Sequence, residues 1–329
     1  MHEKKNALLS VLLVVVSVVI CVGAAELILR LKNNAMATYD IEMWRYAKEL
    51  KQPSPDANLS FEHVKSKSAV LQNVQIRLNE LGLRGGSLQS AVRGERVILF
   101  LGGSITLGWG VSEENTVSSQ LEKMLRQSGE QVRVLNGGVG NYNAARYVSR
   151  FLKQLTMLDL TDIVVQYFLR DAEDLQPDQG NFILRHSELA VTSWMAYHRL
   201  FDEAGEKSLV EHYHRVYRPD APGFLRMTQM LEKLAEYAKS RNIRLYMLMT
   251  PDIHNLVDYK FGFVHDTMRQ IAKNTGYAFV DTLPALLGRP PQELFAMPGD
   301  PHPNALGHRL MAEAIFPVIS QKATTEVQH

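Results

Sequence analysis

The 329-residue chain has a single cysteine, Cys21, and it lies within an apolar segment. One thiol excludes an intrachain disulfide and a zinc site built on cysteines. It leaves the compartment open, because exported domains can lack cysteine altogether. Net charge is also nearly absent: 36 lysines and arginines against 35 acidic residues leave +1. That balance gives no reason to expect nucleic acid as a partner. Internal repeats and low-complexity tracts are missing. His186, His198, His212 and His214 have no carboxylate or cysteine at a recurrent ligand spacing, so they read as surface or packed histidines and no metal is expected. The hydrophobic fraction of 46% is enough for one large α/β domain with additions.

One long apolar run is present. Ala7 to Ala25 reads ALLSVLLVVVSVVICVGAA, with only Ser10 and Ser17 as polar breaks. As a helix rising 1.5 Å per residue it spans roughly the 30 Å hydrocarbon core of a bilayer. It is longer than the roughly 7–15 residue apolar core of a cleaved signal peptide. Residues 1–32 are therefore expected to be an uncleaved signal anchor, meeting the membrane through residues 7–25. The rival is cleavage after Val22-Gly23-Ala24, where small residues sit at suitable positions. Bulky Ile20 before Cys21 argues against a lipoprotein site. Lys4 and Lys5 precede the run and Arg30 and Lys32 follow it, so the positive-inside rule barely orients it. A very short N-terminal tail and a large C-terminal part predict a single-pass inner (cell) membrane protein. Its large domain is expected on the periplasmic, extracytoplasmic side.

Residues 33–89 carry weak periodicity and several breakers, and are expected to form a membrane-proximal stalk and a domain-edge segment. A short helix is expected around Ile41–Lys51 and an edge element at Val74–Leu78. Residues 90–322 then alternate short apolar runs with amphipathic stretches. Strands are expected at Val97–Leu101, Val132–Asn136, Ile163–Phe168, Ile243–Met249 and Tyr277–Asp281. Helices are expected at Val117–Gln127, Asn143–Leu158, Phe224–Arg241, Phe263–Asn274 and Asn304–Ile319. This pattern predicts an α/β fold whose parallel sheet is covered on both faces. Right-handed crossovers bring Ser104, Gly140, Arg170 and Pro251 to one edge of that sheet. Residues 171–222 interrupt the alternation and are expected to be inserted helices, a lid or platform over that edge.

Arg96–Val111, RVILFLGGSITLGWGV, carries the first chemical signal. An apolar strand breaks at Gly102-Gly103 and presents Ser104. A serine there has its hydroxyl at the mouth of an open α/β sheet, where ligands bind. The residue is either a nucleophile or an ordinary capping serine in a βα loop. Near the C-terminus, GDPHPNALGH places Asp300 and His302 two residues apart, before a helix that Asn304 can cap. His302 suits a general base for Ser104, since imidazole titrates near neutrality. Asp300 would fix its tautomer and stabilise the imidazolium. His308 is a weaker candidate base, expected to pack within the helix.

These residues resemble the SGNH hydrolase superfamily, the GDSL-type esterases. Gly102–Thr106, GGSIT, is similar to its nucleophile block. Asn136–Asn143, NGGVGNYN, is similar to its glycine block. Tyr167–Leu175, YFLRDAEDL, is similar to the block that usually holds an asparagine before an aspartate. Asp300–His308, DPHPNALGH, is similar to the histidine block. Leu78–Gly86, LNELGLRGG, resembles a leader patch of membrane-anchored and polysaccharide-linked members. The resemblance spans Leu78 to Ile319. It implies a three-layer α/β/α flavodoxin-like parallel sheet and acyl transfer through a covalent Ser104 intermediate, with no cofactor. It further implies an oxyanion hole made by the N–H groups of Ser104 and of Gly140 or Asn141.

Four departures stand out. Gly103 replaces the family's usual aspartate. Asn141 replaces a glycine. Arg170 stands where the family has the asparagine that donates to the oxyanion; a guanidinium can donate, or it can pair with Asp171 or Asp174 instead. Asp300-x-His302 is one residue shorter than the usual spacing. The resemblance implies an esterase acting outside the cytoplasm on an acylated glycan or lipid. Its alternatives are an O-acetyltransferase that modifies an exported polysaccharide, with a membrane-embedded acyl donor or export proteins as partners, and a non-catalytic carbohydrate-binding or assembly protein that keeps the fold.

Overall fold

The computed structural model describes residues 2–35, 39–88, 94–175, 182–201, 206–297 and 300–320. They fall into two compact units: Met1–Lys48 with Gln179–Glu203, and Glu49–Asp178 with Ala204–His329.

The larger unit is built on five parallel strands. These are β1 (Arg96–Gly102), β2 (Val132–Asn136), β3 (Asp162–Phe168), β4 (Arg244–Thr250) and β5 (Ala278–Asp281). Their spatial order is β2-β1-β3-β4-β5, the flavodoxin-like order with its switch point between β1 and β3. Successive residues of a strand face opposite sides of the sheet. Leu99, Leu101, Ile163, Val165, Tyr167, Met247 and Met249 accordingly enter one core. Ile98, Phe100, Val164, Leu248 and Val280 enter the other.

Helices α2 (Ala144–Arg150), α3 (Pro222–Ser240) and α4 (Gly262–Thr275) close the first core through Tyr147, Val148, Met227, Leu231, Leu234, Val264 and Met268. Helices α1 (Val117–Gln127) and α5 (Ala305–Ile319) close the second through Leu121, Leu125, Met311, Ile315 and Ile319. Each fully buried side chain of this size contributes about 2 kcal/mol of burial free energy. The three-layer α/β/α sheet expected from the alternation is thus the fold the chain adopts. One helix differs: Asn143–Leu158 is α-helical only to Arg150 and continues as a π-helical turn, Phe151–Leu155, that buries Phe151 and Leu155.

The strand ends away from Ser104 are held by a buried carboxylate. Asp162, at 0% exposure, takes Arg96 Nε at 2.8 Å and Arg244 Nε at 2.8 Å. Thr161 Oγ1 donates to it at 2.7 Å.

From Lys51 onward the segment read as a stalk folds into the larger unit as two antiparallel hairpins, Lys51–Pro53 with Phe61–His63 and Ser68–Leu71 with Val74–Arg77. Leu59, Leu71, Ile76, Leu78 and Leu83 are buried there. Gln72 and Asn73 both take left-handed backbone, φ 48° and 61°, as a two-residue hairpin turn demands.

In the smaller unit the helix His2–Ala35 contains Lys4–Asn33, a stretch long and apolar enough to cross a membrane. The helices Phe182–His186 and Glu188–Phe201 pack with it. The Glu26 carboxylate accepts the N–H groups of Glu188 (3.0 Å) and Leu189 (2.9 Å), the Ser187 hydroxyl, and an ion pair from Arg30. It thereby caps the start of the second helix, with its negative charge at the positive end of the helix dipole. Trp44 Nε1 donates to the Leu184 carbonyl at 2.8 Å. The expected insertion is therefore divided: its first helices belong to this unit, and the helix Glu206–Val216 belongs to the sheet unit.

Candidate active site

Ser104 opens a single helical turn, Ser104–Leu107, directly after β1. The approach requires glycine. A Cβ on Gly102 would lie 2.0 Å from Thr106 Oγ1 and 2.8 Å from the Gln166 carbonyl. A Cβ on Gly103 would lie 3.2 Å from the Tyr142 carbonyl, a tight contact that the glycine block would have to relieve by a few tenths of an ångström.

His302 comes from the opposite end of the chain. It sits on the strand Asp300–Pro303, paired with Phe295–Met297 outside the main sheet. Asn304 follows and caps α5, accepting from the N–H groups of Leu306 (3.0 Å) and Gly307 (3.1 Å). His302 is buried, and its Nε2 lies 2.7 Å from Ser104 Oγ. The Trp109 ring stands edge-on to the imidazole at 6.5 Å between centroids. The side chain of Asp300 lies outside the described residues. His308 is elsewhere, fully buried between α1 and α5, where its Nδ1 accepts from Val117 N at 3.2 Å. Burial holds its pKa down to about 3.

The glycine block lies beside Ser104. Val139 N donates to the Gly102 carbonyl at 3.1 Å, and Gly137 N to the Phe100 carbonyl at 2.8 Å. Asn136 joins β2 to the Ser104 turn: its Nδ2 donates to the Thr106 carbonyl at 2.7 Å and its Oδ1 accepts from Gly138 N at 3.0 Å. Val139–Tyr142 then forms a turn, closed by Tyr142 N to the Val139 carbonyl at 3.1 Å. Asn141 is its third residue and has φ 64°. That is the left-handed conformation a type II turn needs at this position, tolerated best by glycine and next by asparagine.

Two residues that spacing does not reveal hold this region together. Lys51, 5% exposed, donates from Nζ to the Gly140 carbonyl at 2.8 Å. Arg84, 4% exposed, donates to the carbonyls of Leu107 (2.5 Å), Gly108 (2.6 Å) and Val111 (2.6 Å), bracing the loop after Ser104. Arg84 lies in the leader patch LNELGLRGG, which the sequence marked without a role. Nothing in the sequence pattern marks Lys51.

The third block departs most from expectation. Arg170 is on a 3₁₀ turn, Leu169–Ala172, after β3. Its side chain is 56% exposed and pairs with Glu173 at 3.4 Å. Glu173 also accepts from Tyr213 Oη at 3.0 Å. Asp174 is taken by Arg226. Asp171 turns inward, accepting from Phe168 N at 3.0 Å and Tyr147 Oη at 3.1 Å. Burial lifts its pKa to about 8, so it is a neutral carboxyl group at neutral pH.

No family model matches the chain, and no curated protein does. Solved structures do resemble it. TesA is 16% identical, with 68% of this chain and 98% of that one covered at a TM-score of 0.45. A protein from Desulfitobacterium hafniense DCB-2 described as of the lipolytic G-D-S-L family is 16% identical, with 68% and 98% covered and a TM-score of 0.42. A catalytic mutant of Axe2, an acetylxylan esterase from Geobacillus stearothermophilus, is 17% identical, with 69% and 95% covered and a TM-score of 0.46.

Proposed function

We propose that the chain is a membrane-anchored, serine-dependent acyl-ester hydrolase. The observation that carries this reading is the 2.7 Å approach of His302 Nε2 to Ser104 Oγ, closed across 198 residues of sequence. A hydroxyl so placed is activated when imidazole takes its proton during attack. In the first half-reaction Ser104 Oγ bonds to the ester carbonyl carbon and its proton passes to His302 Nε2. The carbonyl oxygen takes the negative charge and is met by the N–H groups of Ser104 and Asn141. The tetrahedral adduct then expels the alcohol, which leaves with the proton from His302, and an acyl-serine remains. In the second half His302 deprotonates a water that attacks the acyl carbon. Collapse releases the carboxylic acid and returns the proton to Ser104. Asp300, two residues before the base, would orient it. No step calls on a cofactor.

The substrate in this reading is an acylated glycan or lipid outside the cytoplasm. The apolar helix Lys4–Asn33 supports a membrane location. If a sugar hydroxyl replaces water in the second half-reaction, the same groups perform O-acetyl transfer.

The test uses the full-length protein in detergent. A fluorophosphonate probe should label the wild type and fail on Ser104→Ala, with His302→Ala labelling at least a hundredfold more slowly. A wild type that takes no label would refute the reading and favour a binding protein. Acetate release from p-nitrophenyl acetate, with and without an acetyl-accepting oligosaccharide, separates hydrolysis from transfer.

A further inference from the structure

Asn141 N–H and the Gly140 carbonyl belong to one peptide unit. That unit is planar and trans, so its N–H and C=O point in opposite directions. It is also the central peptide of the Val139–Tyr142 turn. Type I and type II turns differ chiefly by rotation of this unit through about half a circle, and only type II needs positive φ at the third residue. Asn141 is an L-residue held at φ 64°, so the rotated form is sterically accessible to it. In that form the N–H and the carbonyl of this unit would exchange the sides they face.

Lys51 opposes the rotation. Its ammonium group donates to the Gly140 carbonyl at 2.8 Å and lies 4.0 Å from the Phe61 ring centroid. The hairpin that carries Lys51 and Phe61 is itself fastened to the turn, because the Tyr142 hydroxyl donates to the Phe61 carbonyl and the two rings meet at 5.2 Å. A charge-assisted bond to a carbonyl in a buried place is strong, and shielding from water strengthens it further.

We propose that Lys51 is a positioning residue that locks the Gly140–Asn141 peptide with its N–H turned toward the oxyanion of the Ser104 adduct. The inference rests on the hydrolase reading above. In this proposal Lys51 acts through the Gly140 carbonyl, by selecting one of two turn conformations.

The experiment compares full-length wild type, Lys51→Met, Lys51→Arg, Asn141→Val and Lys51→Met/Asn141→Val on p-nitrophenyl acetate. Melting curves and the affinity of a boronic acid, which forms a tetrahedral adduct with serine, are measured alongside. Loss of one oxyanion donor lowers kcat about 10²–10³-fold. Partial rotation predicts for Lys51→Met a kcat at least tenfold down, KM within twofold, and boronate affinity reduced by the same factor as kcat. Lys51→Arg, which keeps a charged donor, should recover most of the loss. Asn141→Val disfavours left-handed backbone without touching the hairpin and should show the same signature, and the double variant should be little worse than either single one. If Lys51→Met does not fold, Asn141→Val carries the test of the rotation and Lys51→Arg that of the donor. Wild-type kcat in Lys51→Met would overturn the proposal, as would a fallen kcat with unchanged boronate affinity. Turnover that survives Ser104→Ala would instead overturn the hydrolase reading itself.

Discussion

Replacement of Arg170 by alanine separates two roles of very different size. A side-chain donor to the oxyanion contributes about 3–4 kcal/mol to the transition state, so its removal lowers kcat about 10²–10³-fold. An exposed ion pair between residues three apart on a helical turn contributes only about 0.2–0.5 kcal/mol. Arg170 is 56% exposed and its guanidinium is 3.4 Å from Glu173. Glu173 is itself held by Tyr213 Oη at 3.0 Å. To reach an oxyanion at Ser104 the guanidinium would have to leave this carboxylate. We therefore expect Arg170→Ala to keep kcat within about threefold of wild type, on the scale of a lost surface pair. The assay is hydrolysis of p-nitrophenyl acetate by the full-length protein, with rapid-mixing traces to isolate acylation. A kcat reduced a hundredfold at unchanged melting temperature would refute the reasoning and return Arg170 to the oxyanion hole.

Asp171 should govern part of the pH dependence of stability. Its carboxyl keeps its proton to about pH 8 in the fold and loses it near 4 in the unfolded chain, so between those values the unfolded state binds fewer protons. Stability then falls as pH rises, by up to about 1.4 kcal/mol per unit. Asp171→Asn removes this loss, so urea titrations should show the variant gaining roughly 2–4 kcal/mol on wild type from pH 5 to pH 8; parallel profiles would sink the idea. Asp162→Asn leaves Arg96, 13% exposed and still paired with Glu130, and Arg244, 39% exposed, facing a neutral amide, and should destabilise the protein by about 1–3 kcal/mol. Because Asp162 lies at the strand ends away from Ser104, kcat at 20 °C should be unaffected. A loss below 1 kcal/mol by urea titration, or a changed kcat, would contradict that account.

The sheet was legible because parallel strands buried on both faces appear as unbroken apolar runs. Val97–Leu101 and Ile243–Met249 needed no longer-range information to be placed. Ser104 and His302 were legible through local punctuation, Gly-Gly before one and prolines around the other. The strand that carries His302 was not, because Pro301 and Pro303 argue against a strand. The pairing is tolerated in a two-stranded ribbon outside the main sheet, where proline is confined to edges. Lys51 and Arg84 were invisible for another reason. Each satisfies backbone carbonyls on a distant segment, Lys51 across 89 residues, and a carbonyl leaves no mark on a sequence. Arg170 shows a nearer failure. Asp171 and Asp174 were weighed as its partners, but Asp171 turns inward and Arg226 takes Asp174, so Glu173 receives the guanidinium.

The Glu26 carboxylate bears on how the chain can be processed. It lies one residue beyond the apolar run, and the N–H groups of Glu188 and Leu189 depend on it. A peptidase cut after Ala24 would leave Glu26 as the second residue of the product, beside a new α-ammonium group. The helix turns before Ala25 would be gone, so the acceptor at the start of the Glu188–Phe201 helix would sit at a fraying end of the remaining Ala25–Ala35 stretch. Retention of the residues before Ala25 and order at the start of that helix are therefore coupled. The helix long and apolar enough to cross a membrane is also packed within the smaller unit.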